Sequence, residues 1–417
     1  MLLTLVACAQ AWAGYVEVDG IGYKTNKDGT AEIKYLVVQV MANTVIFPEY
    51  GHLVLPETIE EKGKTYRVTE MDETVFKECP TITGITFNEG LETIGDEAFI
   101  DCVNLQEVHF SSTLKNIGVA VFENTPWLNN QPQGMIYAGQ VAMLYKGSIP
   151  EGTALRLKDD TRHIATSAFY GQKGLQSIHL PEGLETIGSG AFCSCKGLMT
   201  LNLPASLERM GNDCFRDCLA LQSVTMPDGL TEIGSYAFIN CIALTEVKLP
   251  AQLKQIQFEA FENCSALNTL VLPEGLEKIG RRAFDGCTAL RQITVTSPEP
   301  PVCASENVFA ASTYEETELW VPAGTAAAYQ EAKSWKNFQH VKESAVSGIS
   351  PVLQSHTLYR LQGRTLVLTP QAAVRGAAVY GLNGQLLYTG HGDRISLPAR
   401  QVVLVHIGQQ VYKVSVP

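Results

Sequence analysis

The amino-acid sequence predicts a β-rich α/β solenoid of stacked 23-residue repeats, with a parallel sheet along its concave side, β caps and a small C-terminal β-sandwich. Three observations predict it. Phe192, Phe215, Phe238, Phe261 and Phe284 stand 23 residues apart. Cys195, Cys218, Cys241, Cys264 and Cys287 keep the same step, and so do Leu198, Leu221, Leu244, Leu267 and Leu290. Each unit also carries the string L-x-x-L-x-L, closed by a proline at Pro204, Pro227, Pro250 and Pro273.

That string, at a period between 20 and 29 residues, marks a leucine-rich-repeat solenoid. In Leu198–Pro204 the apolar Leu201 and Leu203 alternate with Thr200 and Asn202, so one side of a short strand is apolar and the other polar. Such a strand cannot satisfy its backbone alone, and the next copy supplies a parallel partner. The prolines lack an amide donor and should end every ladder at the same rung. Ile-Gly pairs such as Ile187-Gly188, Ile233-Gly234 and Ile279-Gly280 suggest a tight bend that uses glycine's freedom, although Gln257 takes the same place in one copy. The Ala-Phe step suits a single helical turn. Each buried Phe or Leu contributes roughly 1.5–3 kcal/mol against exposure, so the core is stable only as an array.

Length and composition set the outer bounds. The 417 residues are 45% hydrophobic and 18% charged, enough for a large core with accessory modules. A net charge of −12 without any Lys/Arg run speaks against a nucleic-acid partner. The opening MLLTLVACAQAWAG is apolar and ends in Ala11-Trp12-Ala13, which reads as a signal peptide over 1–13, cleaved before Gly14. The alternative is a lipoprotein box with Cys8 as the lipidated residue. No later stretch is long and apolar enough for a transmembrane span. Seven cysteines, Cys79, Cys102, Cys195, Cys218, Cys241, Cys264 and Cys287, follow the repeat Phe by three residues, the pattern of a buried thiol ladder more than of disulfides. Cys193, Cys195 and Cys214 have no His at ligand-like spacing, so no metal and no cofactor is expected.

Taken in order, residues 14–70 read as an N-terminal β cap. It has a hairpin turning at Asp28-Gly29, a second turn at Lys62-Gly63 and an early L-x-L-P at Leu53–Pro56. The array spans 71–300. Its register jumps between Phe122 and Phe169, where a hairpin insert at about 124–150 (Met135 to Tyr145 around a Gly turn) replaces one return segment; such inserts can carry function or be decoration. Residues 301–343 form a C-terminal cap, with a strand at Glu318–Pro322 and helical composition over Thr325–Trp335. A linker at 344–350 leads to a β-sandwich over 351–417, with strands at Arg364–Leu368, Ala377–Tyr380, Gln385–Tyr388, Ile395–Pro398, Val402–Ile407 and Gln410–Val416, and an Asn383-Gly384 hairpin turn.

The opening VEVDGIGY, the array IGSGAFCSCKGLMTLNLP, the insert TPWLNNQPQGMIYAGQVAMLYKG and the closing LWVPAGTAAAYQEAKSWKNF together resemble the BspA-type leucine-rich-repeat proteins of bacterial surfaces. The C-terminal VYGLNGQLLYTG and VYKVSVP resemble a type IX secretion sorting domain. The resemblance implies a secreted or cell-surface adhesin whose protein ligand would be a host matrix or cell-surface protein, and it leaves outer-membrane anchoring open.

By register, the polar strand positions of the concave face are Glu107, His109, Arg156, Ser177, His179, Thr200, Asn202, Ser223, Thr225, Glu246, Lys248, Thr269, Gln292 and Thr294. These are the candidate ligand-binding residues. No nucleophile elbow, metalloprotease helix, phosphate loop or dinucleotide fingerprint occurs, so catalysis is not expected. A protein-binding module is the first reading. A glycan-binding protein of an uptake system is an alternative, and it would need exposed aromatics on that face, where the register places none. A structural cell-envelope protein is another.

Overall fold

The computed structural model describes residues 15–41 and 44–344, then 359–362, 365–368, 377–381, 386–390, 394–397, 402–407 and 410–415. The expected signal segment with Cys8, most of the expected linker and the Asn383-Gly384 turn lie outside the described residues. The chain divides into two compact units at Ser347/Gly348.

In the first unit each repeat lays down two short strands. Thr200–Asn202, Ser223–Thr225 and Glu246–Lys248 pair in parallel, with Thr200 opposite Ser223 and Ser223 opposite Glu246. Their middle residues, Leu201, Val224 and Val247, are buried and their flanks exposed. Every such strand stops short of its proline, whose carbonyl accepts a turn bond from the Leu three residues on, as Leu207 N donates to Pro204 O at 3.1 Å. A second parallel ladder follows, in which Thr186–Ile187 pairs with Arg209–Met210.

The Ala-Phe step is not a helical turn. In seven coils the amides of the repeat Phe and of the residues two before and two after it donate sideways to the next coil. Gly190 bonds Asn212 at 2.8 Å, Phe192 bonds Cys214 at 2.8 Å and Ser194 bonds Arg216 at 2.7 Å. Such amides are not free to bond a carbonyl four residues back. The alternation puts both flanking residues in the left-handed region, Gly190 at φ +59° and Ser194 at +60°, then Asp213 at +55° and Asp217 at +58°. Non-glycine residues there cost roughly 1–2 kcal/mol each. Three intercoil bonds of about 1 kcal/mol each, with a buried Phe, offset that. The Ile-Gly glycine is also reassigned. Gly188 has no positive φ, but a Cβ there would lie 2.6 Å from Thr166 N. It serves close approach between coils instead of a bend.

The repeat phenylalanines stack along the axis. Phe169, Phe192, Phe215, Phe238, Phe261, Phe284 and Phe309 have successive centroid distances of 5.0, 5.3, 5.3, 5.2, 5.3 and 5.5 Å, with nearly parallel rings. Phe76, Phe99 and Phe122 form a separate stack at 5.1 and 5.6 Å. Between the two stacks the hairpin Gly134–Ala138 with Val141–Lys146 takes the place of one coil. Tyr145 occupies the position of the missing Phe (122 + 23 = 145), its ring 6.2 Å from Phe169.

The ends are irregular. Tyr15–Val18, Ile21–Thr25 and Thr30–Leu36 form an antiparallel meander, and the last of these strands runs parallel to Lys64–Met71 at the head of the second ladder. Short helices at Pro126–Asn129 and Ala311–Glu316 have no repeat signal in the sequence. The expected Thr325–Trp335 helix is only Ala326–Glu331, followed by a 3-10 turn at Trp335–Asn337. Buried Ser334 draws the chain out of helix: its amide donates to Glu306 at 3.0 Å and its hydroxyl bonds the Tyr314 hydroxyl at 2.6 Å.

The second unit contains two antiparallel sheets. One holds Tyr359–Gln362, Thr365–Leu368 and Arg394–Ser396, and the other holds Leu386–Gly390, Ala377–Gly381, Val402–Ile407 and Gln410–Ser415. Leu366, Val379, Ile395 and Leu397 are buried. The strand Tyr359–Gln362 is an addition to the sequence reading.

Candidate binding face

Strand alternation sends Leu201 inward and Thr200 and Asn202 outward, and register lines the outward residues up in two parallel rows. Ser177, Thr200, Ser223 and Glu246 make one; Arg156 pairs with His179, and Asn202, Thr225 and Lys248 continue the other. In the next sheet the rows are Thr269, Gln292, Glu318, His340 and Val271, Thr294, Trp320, Lys342. In the first sheet Glu107 aligns with Gly84 and His52, and His109 with Thr86 and Val54.

The middle of this face is chemically open. His179, Thr200, Asn202, Ser223, Thr225, Glu246 and Lys248 are exposed, and among the described residues their side chains have no hydrogen-bond or ion-pair partner. Ser177 is half-buried. Arg156 is exposed but engaged, donating to Asp159 at 2.7 Å.

The two ends are internally satisfied. Glu107 sits between two imidazoles, accepting from His109 Nε2 at 2.7 Å and lying 3.4 Å from His52 Nδ1. His52 Nε2 shares a hydrogen bond with Thr86 Oγ1 at 2.9 Å, and the His52 and His109 rings are 5.9 Å apart. Glycine makes this reach possible, since a Cβ at Gly84 would lie 2.4 Å from His52 Nδ1. The bond from His109 and the two imidazoles hold the Glu107 carboxyl below the usual carboxylate range. No group of three metal-capable side chains is present among the described residues.

At the other end Trp320 stands on the face, its Nε1 donating to Glu318 at 3.2 Å and the Lys342 ammonium 5.4 Å from its ring centroid. Lys342 also pairs with Glu318 and, as the largest cause, holds that carboxyl low. Two expectations are corrected here. Thr294 is not an exposed contact residue; it is 3% exposed, in register beside Trp320 and bonded by Gln292 Nε2 at 3.3 Å. Thr269 and Gln292 are half-buried. The face also does carry an aromatic. Trp320 follows a non-periodic connection, so repeat counting does not place it, although the alternation of Glu318–Pro322 turns it onto this face, half-buried, once the pairing with Gln292–Val295 is known. His52 and Thr86 were missed because the first strands precede the regular array.

The repeats match a known family model. The BspA type leucine rich repeat region matches in six copies, over residues 64–132 and 148–268, leaving out the stretch that holds the hairpin. Among solved structures, the chain is similar to a leucine-rich repeat protein from Bacteroides ovatus at 21% identity, over 79% of this chain and 99% of that one, with a TM-score of 0.27. It is similar to the pneumococcal vaccine antigen PcpA at 16% identity, over 80% and 99%, with a TM-score of 0.36. A leucine rich cell surface protein from Faecalibacterium prausnitzii matches at 17% identity, over 81% and 97%, with a TM-score of 0.28. No curated protein sequence gives a significant match.

Proposed function

We propose that this chain is a secreted or cell-surface protein-binding module, an adhesin or host-interaction protein without catalysis, whose contact area is the row from Arg156 to Lys248. One observation carries the reading: seven exposed polar side chains on adjacent strands have no partner of their own, while the same rows are paired internally at both ends. The strands beneath are fixed by their ladder, so binding orders side chains and not backbone, which lowers its entropic cost. Donors and acceptors of both kinds, with one carboxylate and one ammonium, suit the polar surface of a folded protein. Export through the N-terminal segment, and sorting or anchoring through the C-terminal unit, complete the proposal. A host matrix or cell-surface protein is the partner class that the BspA-type repeats support.

The test is saturable binding of the purified chain to immobilised matrix proteins, beside the triple variant Asn202→Glu, Thr225→Glu, Lys248→Glu. Loss of binding with an unchanged melting temperature supports the face; retention moves the site elsewhere.

Trp320 favours a second reading, glycan binding, because a half-buried indole flanked by a carboxylate and an ammonium suits a sugar ring. A glycan array probed with the chain and with Trp320→Ala separates the two.

A further inference from the structure

The break between the two Phe stacks leaves a row of backbone donors without acceptors. In seven coils, those of Phe76, Phe99, Phe169, Phe192, Phe215, Phe238 and Phe261, the amides of the repeat Phe and of the residues two before and two after it all bond the following coil. In the coil of Phe122 the corresponding amides, Ala120, Phe122 and Asn124, bond nothing among the described residues. The same coil still accepts at its opposite edge, since Glu97, Phe99 and Asp101 donate to the carbonyls of Val119, Val121 and Glu123. The coil is therefore correctly folded and lacks only its neighbour. On the far side, Ala168 O is taken by Tyr145 N at 2.8 Å, while the carbonyls of Thr166 and Tyr170 receive no bond among the described residues.

A groove of about 550 Å³ lies along this edge, mainly apolar, between Val119–Glu123, Leu128, Met143–Tyr145, Thr166–Ala168 and Tyr170. Val119 and Tyr170 at its rim are 40% and 62% exposed. Its walls are held in place. The Lys146 ammonium donates to the carbonyls of Leu128, Asn129 and Gln131 at 2.9, 2.8 and 2.6 Å, tying the hairpin to the short helix. The Trp127 ring packs 4.8 Å from Phe122.

We propose that this groove binds an extended peptide segment of a partner protein. Alternate carbonyls of the segment accept from Ala120, Phe122 and Asn124, as those of a following coil would, and its apolar side chains enter the groove. The alternation of the donors suits a segment whose alternate carbonyls face one side. The apolar lining selects alternating apolar side chains, the logic of strand addition to an open edge. The site is independent of the polar strand face.

The test selects binders from a displayed random heptapeptide library on the full chain. Enriched peptides are measured by fluorescence polarisation and by amide exchange. The expected result is a peptide with alternating apolar residues that slows exchange at Ala120, Phe122 and Asn124. Its affinity falls about tenfold or more with Val119→Arg, as for loss of an interface anchor, and is unchanged by the Asn202/Thr225/Lys248 variant. The proposal is overturned if no peptide is enriched, or if binding proceeds without protection of those amides. It is also overturned by equal binding to Val119→Arg, or by self-association of the chain that Val119→Arg abolishes, which would give the groove to a second copy. Val119 is a rim residue, and the exchange measurement on the unmodified chain stands even if the variant folds poorly.

Discussion

The thiol of Cys241 donates to the backbone carbonyl of Phe215 in the preceding coil, with Sγ 3.3 Å from the oxygen. The same bond joins Cys102 to Phe76, Cys195 to Phe169, Cys218 to Phe192, Cys264 to Phe238 and Cys287 to Phe261, at 3.0 to 3.3 Å. The Phe carbonyl points into a dry core while its amide serves the next coil, so a small, mostly apolar side chain with one weak donor suits the position. Cys241→Ala should cost about 1–2 kcal/mol, from a lost weak bond and a small void. Urea unfolding measures it, and a cost near zero would show that the ladder is incidental.

The same burial makes these thiols inert. It pushes Cys102, Cys195 and Cys303 up to about 12 each. The ten described cysteines are free and buried. The thiolate is the reactive form. At pH 8 a disulfide reagent should therefore leave these ten unmodified in the native chain and react with them in 6 M guanidinium. Rapid labelling of the folded chain at any of them would contradict the buried ladder.

Two glycines in one coil have different jobs and should respond differently to Ala. Gly190 is at φ +59°, and a Cβ there would find its nearest neighbour at 3.4 Å, so Gly190→Ala should cost roughly 1–2 kcal/mol in left-handed strain. Gly188 has an unexceptional φ, yet its added methyl would meet Thr166 N at 2.6 Å. Neither backbone can yield without opening the stack, so Gly188→Ala should cost about 3 kcal/mol or more. Equal losses would refute the assignment of Gly188 to close approach.

His163 gives a pH signature. Burial is the main cause that pushes its imidazole below the ordinary value, and its Nδ1 shares a 2.9 Å hydrogen bond with Thr186. The unfolded chain then binds the proton more readily than the folded one. Stability from this site is complete above the ordinary pKa of about 6.5 and declines as pH falls below it toward the lowered value. Urea midpoints at pH 7.5 and 5.5 should fall less in His163→Gln than in the parent chain. An identical fall would remove His163 from the account.

Much of the fold is legible in the sequence because each 23-residue unit touches mainly its neighbours. Once Phe192 and Phe215 are seen to share a step, strand register, the Phe stack and the outward rows at Thr200, Asn202, Ser223 and Thr225 follow. What the sequence did not disclose arises where that step fails. The Ala-Phe turn reads as helix locally, and only the competing acceptors of the next coil divert its amides. Ser334 ends a helix that its composition favours, through bonds to Glu306 and Tyr314. His52, Glu107 and His109 meet across strands of the irregular first sheet, Trp320 reaches the binding face from a non-periodic connection, and Ala120, Phe122 and Asn124 are left open where a hairpin replaces a coil. The sequence by itself determined the repeat, its register and its buried ladder, because these depend on neighbours at a constant spacing. Tertiary structure alone decided the ends of the face and the groove, because contacts between segments of unequal length have no period from which to be read.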